Sequence, residues 1–273
     1  GVRCKTEHSK DLLLQKCCVS HSIRKRRPHE SFASDTDKFM IPDLPQRIEM
    51  TPPQVAEWER TKNETTGYFD AMFESETRSY GALYNSFHEL ESDYEKLHKS
   101  TLGTNLGILD QYSAWVNKDG EEKANRGHKK DLAEETEWLS RLNSKQNESV
   151  LYVSFGSLVW LPRAQLVELA HGLEHSGHSF IWVIRKMDEN ENGDTFPREC
   201  EQKMKESKKG YIIIELGTTA SHIGPPCIGG IVTHCGWNSI LESVSSGLPM
   251  IAWPVLAEQF YNEKMVVNVL NIG

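Results

Sequence analysis

No apolar run in the 273-residue sequence approaches the length needed to cross a bilayer. Nor does any basic, apolar, small-residue series at its start resemble a secretory signal. Insertion into a membrane is therefore not expected, and Asn63-Glu64-Thr65 and Asn147-Glu148-Ser149 match the glycosylation triplet by chance. Cysteine is scarce as well. Cys4, Cys17, Cys18, Cys200, Cys227 and Cys235 contain no CxxC pair or other metal spacing, so neither a disulfide scaffold nor a metal site is expected. Thiols in a reducing compartment, and hence a cytoplasmic location, are the expectation. Positive charge is in deficit: the net charge of −8 excludes broad attraction to nucleic acid or anionic lipid. The local exception, "RKRRPH" near residue 24, reads as a solvated surface loop. Neither GxGxxG nor GxxxxGK(S/T) occurs, which leaves a dinucleotide oxidoreductase and a P-loop NTPase without support. The first residue is Gly1 rather than Met, and the chain is expected to be a fragment.

What is present suffices for a packed protein. Apolar residues make up 38% and charged residues 26% of a length that holds one large or two ordinary domains. Residues 1 to about 100 read as polar and loop-rich, with a proline cluster in "IPDLPQRIEMTPPQ" and an amphipathic stretch around residues 68–80. In "YGALYNSFHELE", the "ALYNSF" core suits a short buried strand and the acidic residues after it suit a helix start. Residues 116–136 are almost wholly polar and mixed in charge, as an exposed linker would be.

Beyond the linker, strands and helices alternate. "SVLYVSFGS" is a continuous apolar strand ending in a Gly-Ser turn, the pattern of a parallel strand covered on both faces. "LPRAQLVELAHGLEHSG" begins a helix at Pro162, places Leu166, Leu169 and Leu173 on one face and stops near Gly177. "SFIWVIRK" is the next strand, and strand, helix, strand at this spacing makes a right-handed βαβ unit of a doubly wound α/β domain. "CIGGIVTH" and "LPMIAWP" are two further strands, separated by a helix over "WNSILESVSSG" with Ile240, Leu241 and Val244 inward and Gly247 near its end.

The turn at His234–Ser239 therefore sits at the carboxyl end of a strand, where ligands bind in open α/β sheets. Unpaired N–H groups and the positive dipole end make a helix start at Gly236 a seat for phosphate, with Asn238, Ser239 and His234 as added donors. The alternative is structural: Ser239 and Glu242 have the spacing of an S-x-x-E capping box. His234 and Cys235, adjacent on a strand end, point to opposite faces and do not form a nucleophile pair.

These residues carry a resemblance. "THCGWNSILESVSSGLPMIAWPVLAEQF" resembles the second part of the signature box of plant UDP-sugar-dependent glycosyltransferases. "VLYVSFGS", "FIWVIRK", "PDLPQRIEMT" and "YNSFHELE" are similar to other landmarks of that family, in the same order, and the likeness leans toward legume triterpenoid saponin transferases. The resemblance implies an α/β fold of GT-B type, two Rossmann-like domains facing a cleft, with the N-terminal domain truncated and the C-terminal domain incomplete. Residues 1–115 would be the remnant of the acceptor domain, 116–136 the linker and 137–273 the UDP-sugar domain.

Carried over, Ser157, His234, Asn238 and Ser239 contact the diphosphate beside the turn at Gly236, and Glu242 accepts from the ribose hydroxyls. Trp237 shapes the loop through its backbone, and Glu258 with Gln259 holds the sugar hydroxyls, although solvated polarity after a strand would also account for that pair. The implied reaction transfers a hexose from UDP-glucose or UDP-galactose to a hydroxyl of a triterpenoid or flavonoid, with inversion. It uses no metal and no cofactor, and a monomer is expected.

The sequence departs from the family in two ways. Where the box opens with W-A-P-Q, this chain has "LGTTASHIGPP", with Leu216 and Thr219 in place of Trp and Gln. Loss of that Trp from the uracil face would weaken donor binding by about 1–3 kcal/mol. One set of synonymous codons for "ELGTTASHIGPPC", read one nucleotide later, gives N-W-A-P-Q-L-L-I-L-D-H-P. Likewise "NLGILDQY" read two nucleotides later gives S-W-N-I-G-P-V, another family landmark. Compensating frame shifts are the expected origin of residues 104–112 and 215–227. The family's catalytic His and its Asp precede the part that this chain resembles, and His8, His21 and His29 lack the apolar strand that leads into such a base, so no catalytic residue is assigned. A noncatalytic nucleotide-sugar-binding product is the alternative. A bland α/β domain whose "HCGWNS" turn only caps a helix is a third.

Overall fold

The computed structural model describes residues 14–103, 105–108, 140, 142, 144–156, 159–185, 210–215 and 225–273. The linker at 116–136, Ser157 and residues 216–224 lie outside them. Two units emerge, the first from Gly1–Val116, Cys235–Leu241 and Pro254–Ile272, the second from Asn117–His234 and Glu242–Trp253.

In the second unit, β5 (Val150–Ser154), β6 (Ser179–Arg185), β7 (Gly210–Glu215), β8 (Ile228–Thr233) and β9 (Met250–Ala252) form one sheet in the order β7-β6-β5-β8-β9. Every pairing is parallel, with Tyr152 opposite Ile181 on one side and Ile231 on the other. The central strands carry the unbroken apolar runs that parallel strands need: Tyr152, Val153, Ile181, Trp182, Ile231 and Val232 are buried. Each such side chain contributes about 1.5–3 kcal/mol on leaving water. Between β5 and β6 runs α5 (Arg163–His175), which Pro162 precedes and whose buried face is Leu166, Ala170 and Leu173. Leu169 is only half-buried, one residue off the face that the spacing suggested. Gly177, at φ +75, releases the chain from the helix end.

The first unit corrects the loop-rich reading of residues 1 to about 100. It contains α1 (Leu14–Arg26), α2 (Glu57–Arg60), α3 (Glu64–Thr77) and α4 (His88–Leu102), with β1 (Phe39–Met40) antiparallel to β2 (Glu49–Met50) and β3 (Gly81–Tyr84) parallel to β4 (Asn105–Ile108). The amphipathic stretch around 68–80 and the helix start after "ALYNSF" correspond to α3 and α4, whereas α1 was hidden because its buried positions include Gln15, Ser20 and Ser22 beside Leu14, Val19 and Ile23, which blurs an amphipathic period. The basic cluster is not a loop throughout. Arg24, Lys25 and Arg26 close the last turn of α1, where cations meet the negative dipole end, and Arg24 pairs with Asp70 and lies over the Phe73 ring. Arg27 then turns left-handed, at φ 47, into a short 3-10 turn.

An apolar cluster of Val19, Ile23, Phe39, Ile41, Ile48, Met50 and Val55 includes Tyr261, from α7 (Gln259–Lys264). Tyr261 is tied there by polar bonds. Its hydroxyl donates to the buried Glu59 and accepts from the Ala56 N–H at 2.8 Å, and its carbonyl accepts from Gln15 Nε2 at 3.1 Å. Burial pushes both the Glu59 carboxyl and the Tyr261 hydroxyl above their ordinary ranges. Cys17, Cys18, Cys227 and Cys235 are buried thiols. Among the described residues, no helix is long and apolar enough to cross a membrane.

Candidate functional site

Strand order locates the site before any side chain is considered. β5, β6 and β7 succeed one another to one side, and β8 and β9 lie on the other, so the order reverses between β5 and β8. In open parallel sheets such a reversal leaves a crevice at the carboxyl ends of the two strands, and ligands bind there. β5 leads into Phe155-Gly156 and β8 into His234.

These two loop starts touch. A Cβ on Gly156 would lie 2.5 Å from Nε2 of His234, and Gly156 has φ +71. The positive φ demands glycine at this position, and any Cβ would also have to push the His234 ring aside. Phe155, buried beside it, meets Trp253 edge-on with ring centroids 5.7 Å apart. His234 is half-buried, its ring set against Gly156. Sequence reading placed His234 at a strand end, but it missed the demand on Gly156, which only the parallel neighbour creates.

After His234 the chain turns through Cys235, at φ 64, a left-handed conformation uncommon outside glycine. Asn262 holds that turn: its Nδ2 donates to the Cys235 carbonyl at 2.8 Å, and both side chains are fully buried. The next helix is α6 (Trp237–Ser245). Its first bond runs from the Ile240 N–H to the Gly236 carbonyl at 3.1 Å, which makes Gly236 the N-cap. Backbone N–H groups of the first turn, at Trp237, Asn238 and Ser239, therefore lie at the positive end of the helix dipole.

This helix start disposes of the capping-box alternative. A capping box needs Ser at the N-cap and Glu three residues on. Here Ser239 is already inside the first turn and Glu242 in the second, both buried, with exposures of 5% and 8%. Trp237 is buried, and its indole N–H donates to the Asn85 carbonyl at 2.7 Å. Asn238 is exposed, with Oδ1 3.5 Å from Nδ2 of Asn85. Asn85 lies in the "YNSFHELE" landmark, but nothing local ties it to Trp237, 152 residues further on.

Glu258 immediately precedes α7 and is half-buried. Gln259 is buried and turns its Oε1 onto its own loop, accepting from the N–H groups of Val255 at 2.9 Å and Leu256 at 3.0 Å. With both lone pairs engaged, Gln259 meets a hydroxyl as a donor, through Nε2. The start of α6 can hold an anion: it offers backbone N–H groups at a dipole end and the amide of Asn238.

The chain also matches known proteins. The model of the family "UDP-glucoronosyl and UDP-glucosyl transferase" matches residues 24–271. Soyasapogenol B glucuronide galactosyltransferase of Glycine max is 50% identical over 255 residues, 93% of this chain and 51% of that protein. Scopoletin glucosyltransferase of Nicotiana tabacum is 44% identical over 258 residues, 94% of this chain and 53% of that protein. Among solved structures, Glycyrrhiza uralensis UGT73P12, complexed with glycyrrhetinic acid 3-O-monoglucuronide, matches with a TM-score of 0.88 and 43% identity over 96% of this chain and 53% of that one. Medicago truncatula UGT71G1, complexed with UDP-glucose, matches with a TM-score of 0.71 and 25% identity over 94% of this chain and 54% of that one. The chain spans about half the length of the curated relatives it matches.

Proposed function

The chain belongs to the UDP-glucoronosyl and UDP-glucosyl transferase family, enzymes of GT-B α/β fold, and from that membership we propose that it carries the donor-binding machinery of a glycosyltransferase of plant secondary metabolism. The donor is UDP-glucose or UDP-galactose, and the acceptor is a hydroxyl on a triterpenoid or flavonoid. The observation that carries this reading is the strand-order reversal between β5 and β8, with His234 packed on Gly156 and α6 starting directly after it.

In this reading the diphosphate lies against the start of α6. Its charge meets the first-turn N–H groups, the Asn238 amide and His234, with Ser157 and Ser239 as further donors. Glu242 accepts from the ribose hydroxyls, while Glu258 and the Nε2 of Gln259 orient the sugar. An acceptor hydroxyl attacks the anomeric carbon from the face opposite the departing UDP, inverting the configuration. Negative charge grows on the leaving diphosphate in the transition state, and preoriented dipoles stabilise it there without reorganisation. The helix start and side chains take that role in place of a metal. No residue of this chain is assigned as the base.

A second reading, nucleotide-sugar binding without turnover, is favoured by Leu216 and Thr219 standing where the family has Trp and Gln. Thermal unfolding with UDP-glucose, UDP-galactose and ADP-glucose tests the donor reading. A rise in Tm with a uridine donor and none with ADP-glucose is expected, and no rise with either uridine donor sinks it. Release of UDP on adding a triterpenoid or flavonoid acceptor separates turnover from binding alone.

A further inference from the structure

Asn85 lies in the short segment between β3 and α4 and is the residue of that segment that reaches the start of α6 twice. Its backbone carbonyl takes the indole N–H of Trp237 at 2.7 Å, and its side-chain Nδ2 stands 3.5 Å from Oδ1 of Asn238. An amide has one acceptor end and one donor end, so a neighbour that occupies the oxygen decides which end is left for a ligand. With Oδ1 of Asn238 turned to Asn85, the two N–H donors of Asn238 are the end that an anion meets.

The segment is itself braced. Next to Asn85, the buried Ser86 donates its hydroxyl to Oε2 of Glu91 at 2.5 Å, and Oε1 of Glu91 accepts the Gln15 N–H at 2.8 Å. Glu91 is 1% exposed and leaves helical geometry inside α4, at φ −131 and ψ 26. Such a break in a helix is unfavourable, and here it lets a carboxylate tie α1, α4 and the Asn85 segment together. The carbonyl and amide of Asn85 are thus presented by a fixed backbone.

We propose that Asn85 is a positioning residue for the donor diphosphate: it anchors Trp237 through its carbonyl and, through its side chain, holds Asn238 with its N–H groups toward the anion. The role rests on the reading of the α6 start as the diphosphate seat. It makes the affinity for a nucleoside diphosphate, rather than for the nucleoside alone, depend on a residue far away in the sequence.

The test compares UDP with uridine on the 273-residue chain and its Asn85→Asp and Asn85→Ala variants, while the Trp237 indole N–H resonance, assigned by its loss in Trp237→Phe, reports whether the anchor is intact. Asn85→Asp replaces a donor by an acceptor, so Asn238 turns its oxygen toward the phosphate and a negative charge sits nearby. UDP affinity is expected to fall about tenfold or more while uridine affinity changes less than about twofold. The indole resonance should stay in place, since the carbonyl survives. Should that resonance vanish in Asn85→Asp, Asn85→Ala, which adds no charge, carries the test with an expected loss of about fivefold for UDP. UDP affinity within twofold of the parent in a variant that keeps the resonance overturns the proposal, as does equal weakening of UDP and uridine. If the parent chain shows its indole resonance and yet binds no UDP, the donor reading itself falls, and this role with it.

Discussion

Each unit has its own kind of internal cohesion. In the second, the sheet β7-β6-β5-β8-β9 is built from continuous apolar strands, and its site feature is a backbone demand, the left-handed Gly156 under His234. In the first, short strands and helices are joined by buried polar side chains whose partners are remote: Gln15 to Tyr261, Tyr261 to Glu59, Gln15 to Glu91 and Trp237 to Asn85. Apolar patterning is therefore visible in the sequence of one unit and faint in that of the other. A parallel sheet announces itself through runs of apolar residues. A polar network has no period and emerges only when the chain has folded.

Among substitutions that separate the two kinds of cohesion, the largest effect belongs to the sheet. Gly156→Val would put a branched side chain into the His234 ring at φ +71, and a loss of about 4 kcal/mol is expected from strain and overpacking together. Urea denaturation measures it, and a loss below about 1 kcal/mol would show that the loop yields and that the glycine is not required.

Next comes the pH dependence of the polar unit. Burial pushes the Glu91 carboxyl up to about 7 from its ordinary 4.5, against the Ser86 hydroxyl and the Gln15 and Leu14 N–H groups, which favour the charged form. The folded state therefore holds this proton more tightly than the unfolded chain does. The linked stability is fully present below about pH 4.5 and is lost as pH rises through about 7, by about 3 kcal/mol. Stability measured across that range should fall in the parent and flatten by about that amount in Glu91→Gln, and identical slopes would contradict the role given to its burial.

Tyr261→Phe removes the hydroxyl shared by Glu59 and the Ala56 N–H, leaving both buried groups short of a partner, and about 2 kcal/mol is the expected loss. A negligible loss would mean that the first unit rests on its apolar cluster, as the sheet does. At the small end, Arg47→Ala breaks an exposed pair with Glu49 and should shift the denaturation midpoint by less than about 0.5 kcal/mol.

Legibility followed this division. Four of the five parallel strands were read from the apolar runs in "SVLYVSFGS", "SFIWVIRK", "CIGGIVTH" and "LPMIAWP". The start of α6 was placed at Gly236, because glycine followed by an amphipathic run marks it. Serine at 239 and glutamate at 242 also spelled a capping box, since a spacing of three is met both at a cap and within a helix, and only the Ile240-to-Gly236 bond separates the two. In the first unit, α1 escaped notice because Gln15, Ser20 and Ser22 are buried, and "RKRRPH" looked like a loop because the helix ends inside it. Asn85 and Glu91 lie in the "YNSFHELE" landmark and Asn262 outside any quoted motif, but none of their roles was legible, as these arise from contacts made across the fold.

Under the proposed function, a UDP-sugar binds at the start of α6. Calorimetric titration of UDP tests it most directly, with the chain beside a version in which "LGTTASHIGPP" is rewritten to open with W-A-P-Q. Saturable binding at one site is expected, tighter by about tenfold or more in the rewritten chain, where a Trp returns to the uracil face. Absence of binding in both chains, with the Trp237 indole resonance in place, would show that the start of α6 is not a donor site.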